Sequence, residues 1–307
     1  MASPPPIDFK KQFDVEYGRI DRLSPLVRRI IANNPGPFTF TGSGVYIVGP
    51  ENGPVAVIDP GPNLKDHVPT LIGALDGTPV SHVLITHTHQ DHCGCAREFA
   101  DKVGAPIMGY GPHPQSERKP FAGPALEEGG SNTFEPDVLI KDGEKVIGEG
   151  WQMTAIHTPG HLSNHLCFAL ESEKALFCGD HVMGWSTTVV APPEGDMNDY
   201  IASLEILLDR DDEIYYPTHG APIEAPQKFV RAIRTHRLFR DQQILSALED
   251  GTGSISGLVD KIYVGLDARV KPAAALNVLS HLIRLQKIGK VACNGTPLLD
   301  ADWQSVQ

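Results

Sequence analysis

Short apolar or alternating segments, separated by Gly, Pro, Asn and Asp, run through the first two thirds of the chain. Segments of this length that are bounded by turn residues predict β-strands. We predict strands at residues 23–31, 38–48, 55–58, 83–85, 106–110, 138–140, 144–147, 151–157, 166–170, 175–178 and 213–216. Helical periodicity predicts helices at residues 65–75, 94–103 and 198–208. This pattern indicates a sandwich of β-sheets accompanied by helices.

The last third of the chain has a different pattern, with apolar residues at helical spacing. It predicts helices at residues 226–248, 254–264 and 273–288, the second with Ser254 as its N-cap. A short hairpin is predicted between residues 289 and 299. Three helices and a hairpin form a winged-helix pattern, so we divide the chain into a first domain of residues 1–223 and a winged-helix-like domain of residues 224–307.

Histidines and aspartates cluster where several predicted strands end. His87, His89, Asp91 and His92 directly follow the strand at 83–85. Three later strands end close to one such residue each, beside Gly or Pro: His161, Asp180 and His219. Loops at one edge of a sheet sandwich would bring all seven side chains together. The alternative, a polar loop that happens to be rich in histidine, explains neither the spacing nor the repetition.

These seven side chains predict a site for two metal ions, because zinc prefers imidazole and carboxylate ligands. We expect His87, His89 and His161 to hold one ion. Asp91, His92 and His219 would hold the other, and Asp180 would bridge both. A hydroxide between the ions would be the nucleophile, which Asp91 could orient or deprotonate. We predict Zn²⁺, two ions per chain, although iron or manganese would also fit.

Several neighbouring residues have more than one interpretation. Asp59 ends the strand at 55–58 and could form a turn or orient a ligand histidine. His165 and His181 lie near ligands in the sequence, so they could contact substrate or support a ligand. Cys93 and Cys95 are expected to be packed thiols rather than ligands. The long segment 111–136 is expected to cover one side of the site.

Composition limits the remaining possibilities. The 307 residues carry a formal net charge of −12, which disfavours bulk nucleic-acid binding. The five cysteines are odd in number and irregularly spaced, the N-terminus does not resemble a signal peptide, and no apolar run is long enough to span a membrane. We therefore expect a soluble cytoplasmic protein without disulfides and without a membrane partner, and a homo-oligomer remains open.

The charge is unevenly distributed. Residues 224–307 hold 11 Lys and Arg against 8 Asp and Glu, a net of +3, which leaves −15 for residues 1–223. Arg231, Arg234 and Arg237 recur every three residues and would share part of a helix face. These arginines could contact RNA phosphates. We favour the alternative, a solvated face or a surface that packs on the acidic domain.

Four motifs resemble those of the metallo-β-lactamase fold superfamily: His87-Thr-His-Gln-Asp-His92, Thr158-Pro-Gly-His161, Gly179-Asp180 and Pro217-Thr-His219-Gly220. The resemblance implies an α/β protein with an αββα sandwich and a hydrolytic dinuclear centre. Histidine at position 89 favours hydrolysis, because flavodiiron relatives, which do redox chemistry, typically carry glutamate there. Further segments, among them Trp185-Ser-Thr-Thr188, resemble the subgroup that ends in a winged helix and includes a single-strand-specific endoribonuclease.

Two segments depart from that subgroup, Gly42-Ser-Gly-Val-Tyr46 and Leu162-Ser-Asn-His165. Both spare the predicted ligands but change the surface that would face substrate. We expect a metal-dependent hydrolase that acts on a small molecule or single-stranded RNA, with a phosphodiester or RNA substrate preferred. The alternative is a thioester or lactone hydrolase of the hydroxyacylglutathione hydrolase type. A nucleic-acid-binding module with a vestigial metal site is a third possibility, which the intact set of seven ligands disfavours.

Overall fold

Two β-sheets packed face to face form the centre of residues 6–223. The computed structural model describes residues 6–114 and 129–306. The first sheet has seven strands in sequence order: β1 (Asp21–Arg22), β2 (Val27–Ile31), β3 (Gly44–Val48), β4 (Val55–Ile58), β5 (Val80–Leu84), β6 (Ile107–Gly109) and β7 (Val138–Leu139). Its first four strands are antiparallel neighbours, and β4 to β7 run parallel.

The second sheet has six strands. They are β8 (Lys145–Gly148), β9 (Trp151–His157), β10 (Leu166–Leu170), β11 (Ala175–Gly179), β12 (Ile214–Pro217) and β13 (Ile223–Glu224). They lie in the order β13-β12-β11-β10-β9-β8, and only the β11–β12 pair is parallel. Parallel strands end at the same edge of a sheet, so the ends of β11 and β12 lie side by side.

Alternation of side chains along the strands produces three apolar layers. Tyr46 and Leu84 of the first sheet pack against Phe168 and Phe177 of the second, in the layer between the sheets. Neighbouring strand residues point the other way, because successive side chains of a strand alternate between the two faces. Each fully buried side chain of this size contributes roughly 1.5–3 kcal/mol to folding.

Helices cover both outer faces and complete the αββα sandwich. On the first sheet lie α1 (His67–Leu75) and α3 (Ala96–Val103), which bury Leu71 and Phe99. On the second lies α4 (Met197–Leu208), together with the start of α5 (Pro226–Glu249). The short helix α2 (Gln90–Cys93) precedes α3. The predicted helix at 94–103 corresponds to α3, and α2 lies in the stretch that the sequence predicted as a turn.

The predicted strand at 38–48 is wrong in its first half, because β3 begins only at Gly44. The backbone of Gly42 has a φ of +126° and lies so close to the carbonyl of Ala32 that a Cβ would come within 2.1 Å of that oxygen. This close approach ends the extended conformation. The predicted strand at 23–31 is likewise shorter, since β2 begins at Val27.

The C-terminal part contains the three predicted helices and the wing. The helix α5 is followed by α6 (Ile255–Ile262) and α7 (Lys271–Lys287), and the Ser254 side chain accepts a hydrogen bond from the backbone N–H of Gly257 as predicted. The wing pairs β14 (Val291–Cys293) with β15 (Trp303–Ser305), so its second strand lies beyond the predicted residue 299. Trp303 is buried in the core of this part and fixes that position.

The helix α5 takes part in two apolar cores. Val230 and Ile233 pack with α4 and the second sheet, whereas Ile244 and Leu248 pack with α6 and α7. The predicted division at residues 223 and 224 would assign this whole helix to the C-terminal domain. Within the described residues, no helix is both long enough and apolar enough to cross a bilayer.

Candidate metal centre

Four strand ends and one short helix carry the seven predicted ligands. His87 and His89 follow β5, while Asp91 and His92 lie on α2. His161 lies in the β9–β10 loop, Asp180 directly follows β11, and His219 follows β12. The parallel pairs β4–β5 and β11–β12 bring these ends to one edge of the two sheets. The structure thus brings together all seven side chains that the sequence singled out.

The first group consists of His87, His89 and His161. The Nδ1 atom of His89 lies 3.0 Å from Nε2 of His87 and 3.0 Å from Nε2 of His161. Burial lowers the pKa of His87 well below its ordinary value, and the neighbouring histidines lower it further. Burial likewise lowers the pKa of His161, and that of His89 to about 3. All three imidazoles are therefore neutral at pH 7, which is the form that binds metal.

The second group consists of Asp91, His92 and His219. Asp91 Oδ2 lies 3.3 Å from His92 Nε2 and 3.2 Å from His219 Nε2. Asp180 lies between the two groups: its Oδ1 is 3.5 Å from His92 Nε2 and 3.4 Å from His219 Nε2, and its Oδ2 is 3.9 Å from His161 Nε2. One carboxylate thus faces both groups, as a bridging ligand would.

Buried polar atoms without hydrogen-bond partners fit a metal ion at this position. Among the described residues, Asp91 Oδ1, Asp180 Oδ1, His92 Nε2 and His219 Nε2 are buried and have none. Burial opposes protonation of His92, but Asp91 and the other nearby carboxylates raise its pKa well above the ordinary value. In His219, burial is outweighed in the same way by Asp180. Bound cations would replace these protons and satisfy the orphaned atoms.

Asp59 orients His92. Its carboxylate accepts hydrogen bonds from the backbone N–H and the hydroxyl of Thr86, at 2.8 and 2.6 Å. The Nδ1–H of His92 donates to Asp59 Oδ2 at 2.8 Å, so that Nε2 faces the candidate centre. A carboxylate in this position fixes the tautomer and the direction of a ligand histidine.

His165 and His181 occupy different surroundings. The backbone N–H of Asp180 donates to His165 Nε2 at 3.2 Å, and His165 Nδ1 lies 2.8 Å from the Thr158 hydroxyl. His165 therefore supports the backbone of a candidate ligand. His181 is fully buried against Tyr200, with 4.7 Å between ring centroids, and burial lowers its pKa to about 3.

Two supporting contacts were not predicted from the sequence. The Ser43 hydroxyl donates to Asp91 Oδ2 at 3.2 Å, and the Nδ1–H of His161 donates to the carbonyl of Val189 at 2.6 Å. Ser43 lies between Gly42 and Gly44, and these glycines were the only signal of an unusual backbone there. The contact with Val189 uses a main-chain oxygen, which every residue has, so the sequence gives no signal for it.

Cys93 and Cys95 are packed thiols, as predicted. Both lie in the apolar layer with α1 and α3, and burial raises the pKa of each to about 12. The interpretation of residues 111–136 as a cover lies partly outside the described residues. Within the described part, Ser131 donates its backbone N–H to the Thr88 carbonyl at 2.8 Å, and Gly130 forms a β-bridge with His89.

A cleft of about 390 Å³ opens beside Asp91. Its lining residues are Asn34, Pro35, Gly36, Thr39, Pro62, Asn63, Gln90 and Asp91. None of these residues carries a positive charge. The cleft thus offers amides, a hydroxyl and proline rings next to a candidate ligand.

Arg231, Arg234 and Arg237, three of the four arginines of α5, do not form a shared basic face. Arg237 is buried, with its guanidinium donating to the Thr188 carbonyl and lying 5.2 Å from the centre of the Tyr200 ring. Arg234 pairs with Glu205 of α4, and only Arg231 is exposed. Arg234 and Arg237 pack on the acidic domain, which is the alternative that we favoured from the sequence.

Comparison with known families agrees with this architecture. Residues 39–219 match the metallo-beta-lactamase superfamily, and residues 254–303 match the beta-lactamase associated winged helix domain. The chain is 35% identical, over 247 residues, to an atrochrysone carboxyl ACP thioesterase of Aspergillus chevalieri, covering 77% of this chain and 72% of that protein. It is 30% identical to the beta-lactamase-like protein 2 homolog of Caenorhabditis elegans, covering 89% and 88% of the two chains.

Solved structures share the fold. A metallo-beta-lactamase family protein from Thermus thermophilus aligns with a TM-score of 0.73 at 22% identity, covering 93% of this chain and all of that one. A beta-lactamase domain protein from Burkholderia ambifaria aligns with a TM-score of 0.76 at 19% identity, covering 98% and 97%. The chain therefore belongs to the metallo-β-lactamase superfamily, in the subgroup with a C-terminal winged helix, and is a hydrolase of that fold.

Proposed function

We propose that this hydrolase cleaves a thioester by means of two divalent metal ions held by the seven clustered side chains. The observation that carries the proposal is the composition of the cleft beside Asp91, whose lining residues are neutral apart from Asp91 itself. A thioester carbonyl is uncharged and needs no cationic partner in such a cleft. The similarity to proteins named atrochrysone carboxyl ACP thioesterases supports the same class of substrate.

The metals would supply a nucleophile at neutral pH and polarise the carbonyl under attack. The protein supplies the arrangement around them. Asp180 presents one oxygen to each group of histidines, and Asp59 directs His92. Asp91 would help to hold the second ion, and we expect its carboxylate to orient the nucleophile, since Oδ1 has no partner within the described residues. Zinc suits a shell of imidazoles and carboxylates, and iron or manganese would fit the same donors.

A phosphodiester substrate, preferred from the sequence alone, becomes the second candidate. Its support is the resemblance to a subgroup that includes an endoribonuclease. A polyanionic substrate needs cations along its path. Two of the three arginines expected to provide them contact Thr188 and Glu205, and the described residues that line the cleft provide no cation.

A parallel assay distinguishes these substrates. The metal-loaded protein would be offered an acyl-N-acetylcysteamine thioester, a lactone, bis-p-nitrophenyl phosphate and a single-stranded oligoribonucleotide. We expect turnover of the thioester to exceed that of the other three by at least about tenfold, a difference of about 1.4 kcal/mol in barrier. Turnover of the phosphodiester or RNA without turnover of the thioester would reverse the order of the candidates.

A further inference from the structure

An irregular segment contacts two residues of the candidate metal centre, His161 and Asp180. Residues 185–196, here called the strap, connect the region after β11 to α4 without a helix or strand. The Val189 carbonyl of the strap accepts the Nδ1–H of His161 at 2.6 Å. The Thr188 hydroxyl donates to the Asp180 carbonyl at 2.7 Å. The strap therefore contacts two candidate ligands through short hydrogen bonds.

The C-terminal helices hold this strap at three points. Arg237 of α5 donates to the Thr188 carbonyl. The Oδ1 atom of Asn277, on α7, accepts the backbone N–H of Val190 at 3.1 Å. Lys287, also on α7, donates to Asp196 Oδ2 at 2.6 Å. The Val189 carbonyl thus lies between two strap residues that the C-terminal part fixes.

Two of these contacts are protected from water. Asn277 is 8% exposed and Arg237 is 2% exposed. The Nδ2 group of Asn277 donates to the Ala273 carbonyl of its own helix at 3.3 Å, so its oxygen is directed at Val190. Buried hydrogen bonds of this kind have no competing solvent and define one position of the backbone.

We propose that Asn277 and Arg237 are positioning residues for the metal ligand His161, which makes the C-terminal part a structural component of the metal centre. By holding the strap, they place the Val189 carbonyl where it takes the Nδ1–H of His161. That hydrogen bond leaves Nε2 to face His89 and Asp180. The inference rests on the proposed metal centre and is independent of the substrate.

The dependence falls on one of the two groups. His92 is oriented by Asp59, and the Nδ1–H of His219 donates to the Gly42 carbonyl at 3.2 Å. Both supporting residues belong to the first 223 residues of the chain. Loosening the strap at Val190 should therefore weaken binding of the ion held by His87, His89 and His161 more than binding of the other ion, which the strap reaches only through the contact between Thr188 and Asp180.

The test measures metal retention in full-length variants, by equilibrium against a chelator and metal analysis per chain. Asn277→Ala is expected to lower the affinity for one of the two ions by about tenfold. This is the lower end of the loss seen when a residue that supports a metal ligand is removed. Asn277→Asp retains the acceptor and should restore retention. Arg237→Met removes the guanidinium that donates to the Thr188 carbonyl but keeps an apolar stem, and it should also weaken retention of this ion. Val278→Ala is the matched control, since it shortens a buried side chain on the same helix without touching the strap.

The outcomes separate the two proposals. If the wild-type chain retains no metal, the metal centre and the positioning role both fail. If the wild-type chain retains two ions and Asn277→Ala matches Val278→Ala, only the positioning role is overturned. Hydrogen exchange of the Val190 amide in the metal-free protein adds a readout independent of metal. Exchange should be faster in Asn277→Ala than in Val278→Ala, and equal rates would also overturn the inference.

Discussion

At the scale of single residues, the candidate centre depends on carboxylates with different partners. Asp180 faces both groups of histidines and Asp91 faces one, whereas Asp59 contacts Thr86 and, among the candidate ligands, the Nδ1 atom of His92. Oxygen atoms of Asp180 and Asp91 are buried without hydrogen-bond partners among the described residues. Such buried polar atoms cost free energy unless a cation binds them. Each carboxylate therefore makes a separate, measurable prediction.

Replacing Asp180 by Ala removes the only described carboxylate that faces both groups. We expect metal content to fall from two ions per chain to one or none, and turnover of the thioester to drop about a thousandfold, or about 4 kcal/mol. Metal analysis and steady-state kinetics on the folded variant test this. Asp211→Ala is the control, since its carboxylate is exposed and pairs only with Lys174. Retention of both ions with full activity would exclude a bridging role.

Replacing Asp59 by Asn puts an amide next to the Nδ1–H of His92, which requires an acceptor. We expect the ion held by Asp91, His92 and His219 to bind roughly 10–100-fold more weakly. Chelator titration gives the value. Asp76→Asn is a matched control, because Asp76 has the same left-handed backbone, with φ of +47° against +48° for Asp59, and lies away from the centre on the surface. Equal affinities in both variants would show that Asp59 has no orienting role.

At the scale of secondary-structure elements, α5 and α7 enclose a group of buried ionisable residues. His281 Nδ1 lies 2.7 Å from Asp241 Oδ1, and Arg284 donates to the other oxygen of the same carboxylate at 2.6 Å. Burial lowers the pKa of His281, although Asp241 opposes that change. Burial, followed by Arg237 and Arg240, lowers the pKa of His236 to about 3. These helices therefore pack around histidines that are neutral when folded.

Acid should weaken this packing through His236. Its folded pKa lies below the unfolded value of about 6.5, so the unfolded chain binds the extra proton and stability falls as pH drops below about 6.5. His236→Gln removes this group. Between pH 6 and pH 5 we expect the unfolding free energy of wild type to fall by about 1 kcal/mol more than that of the variant.

Denaturant titrations at pH 7.5, 6 and 5 measure the effect, with pH 7.5 as the internal reference, where the histidine is neutral in both states. His157→Gln serves as the control for loss of a histidine elsewhere, on β9. Parallel pH dependence of wild type and His236→Gln would contradict the prediction.

At the scale of the whole molecule, the sequence predicted the layers, most of the element order and all seven clustered side chains. The metal ligands can be recognised from the sequence, because packing and turns seldom require His and Asp to recur at the ends of several strands. The remaining features depend on backbone approach. The late start of β3 follows from Gly42 against Ala32, and the support of His161 comes from the Val189 carbonyl. Main-chain contacts between distant segments do not depend on residue type, so they could not be predicted from the sequence.

Removal of metal should lower the stability of the whole chain. An ion that binds only the folded state stabilises it. At a free ion concentration about a thousand times the Kd, each ion adds about 4 kcal/mol to the free energy of unfolding. At roughly 2–4 °C per kcal/mol, removal of both ions by a chelator should lower the Tm by roughly 15–30 °C, and added Zn²⁺ should restore it. Differential scanning calorimetry with and without chelator measures the shift. The Asp180→Ala variant, treated identically, should shift much less, and an unchanged wild-type Tm would contradict the prediction.

The 24 residues of α5 extend over about 36 Å, and one end is anchored in each of two apolar cores. Because α5 packs in both cores, loss of structure in one core should destabilise the other. If the core around Leu248 opens, the helix that also carries Ile233 loses its far end, and the packing on α4 is released with it. The described residues, 6–114 and 129–306, should therefore unfold in a single cooperative transition, and a substitution that destabilises the wing should also lower the stability of the candidate metal centre.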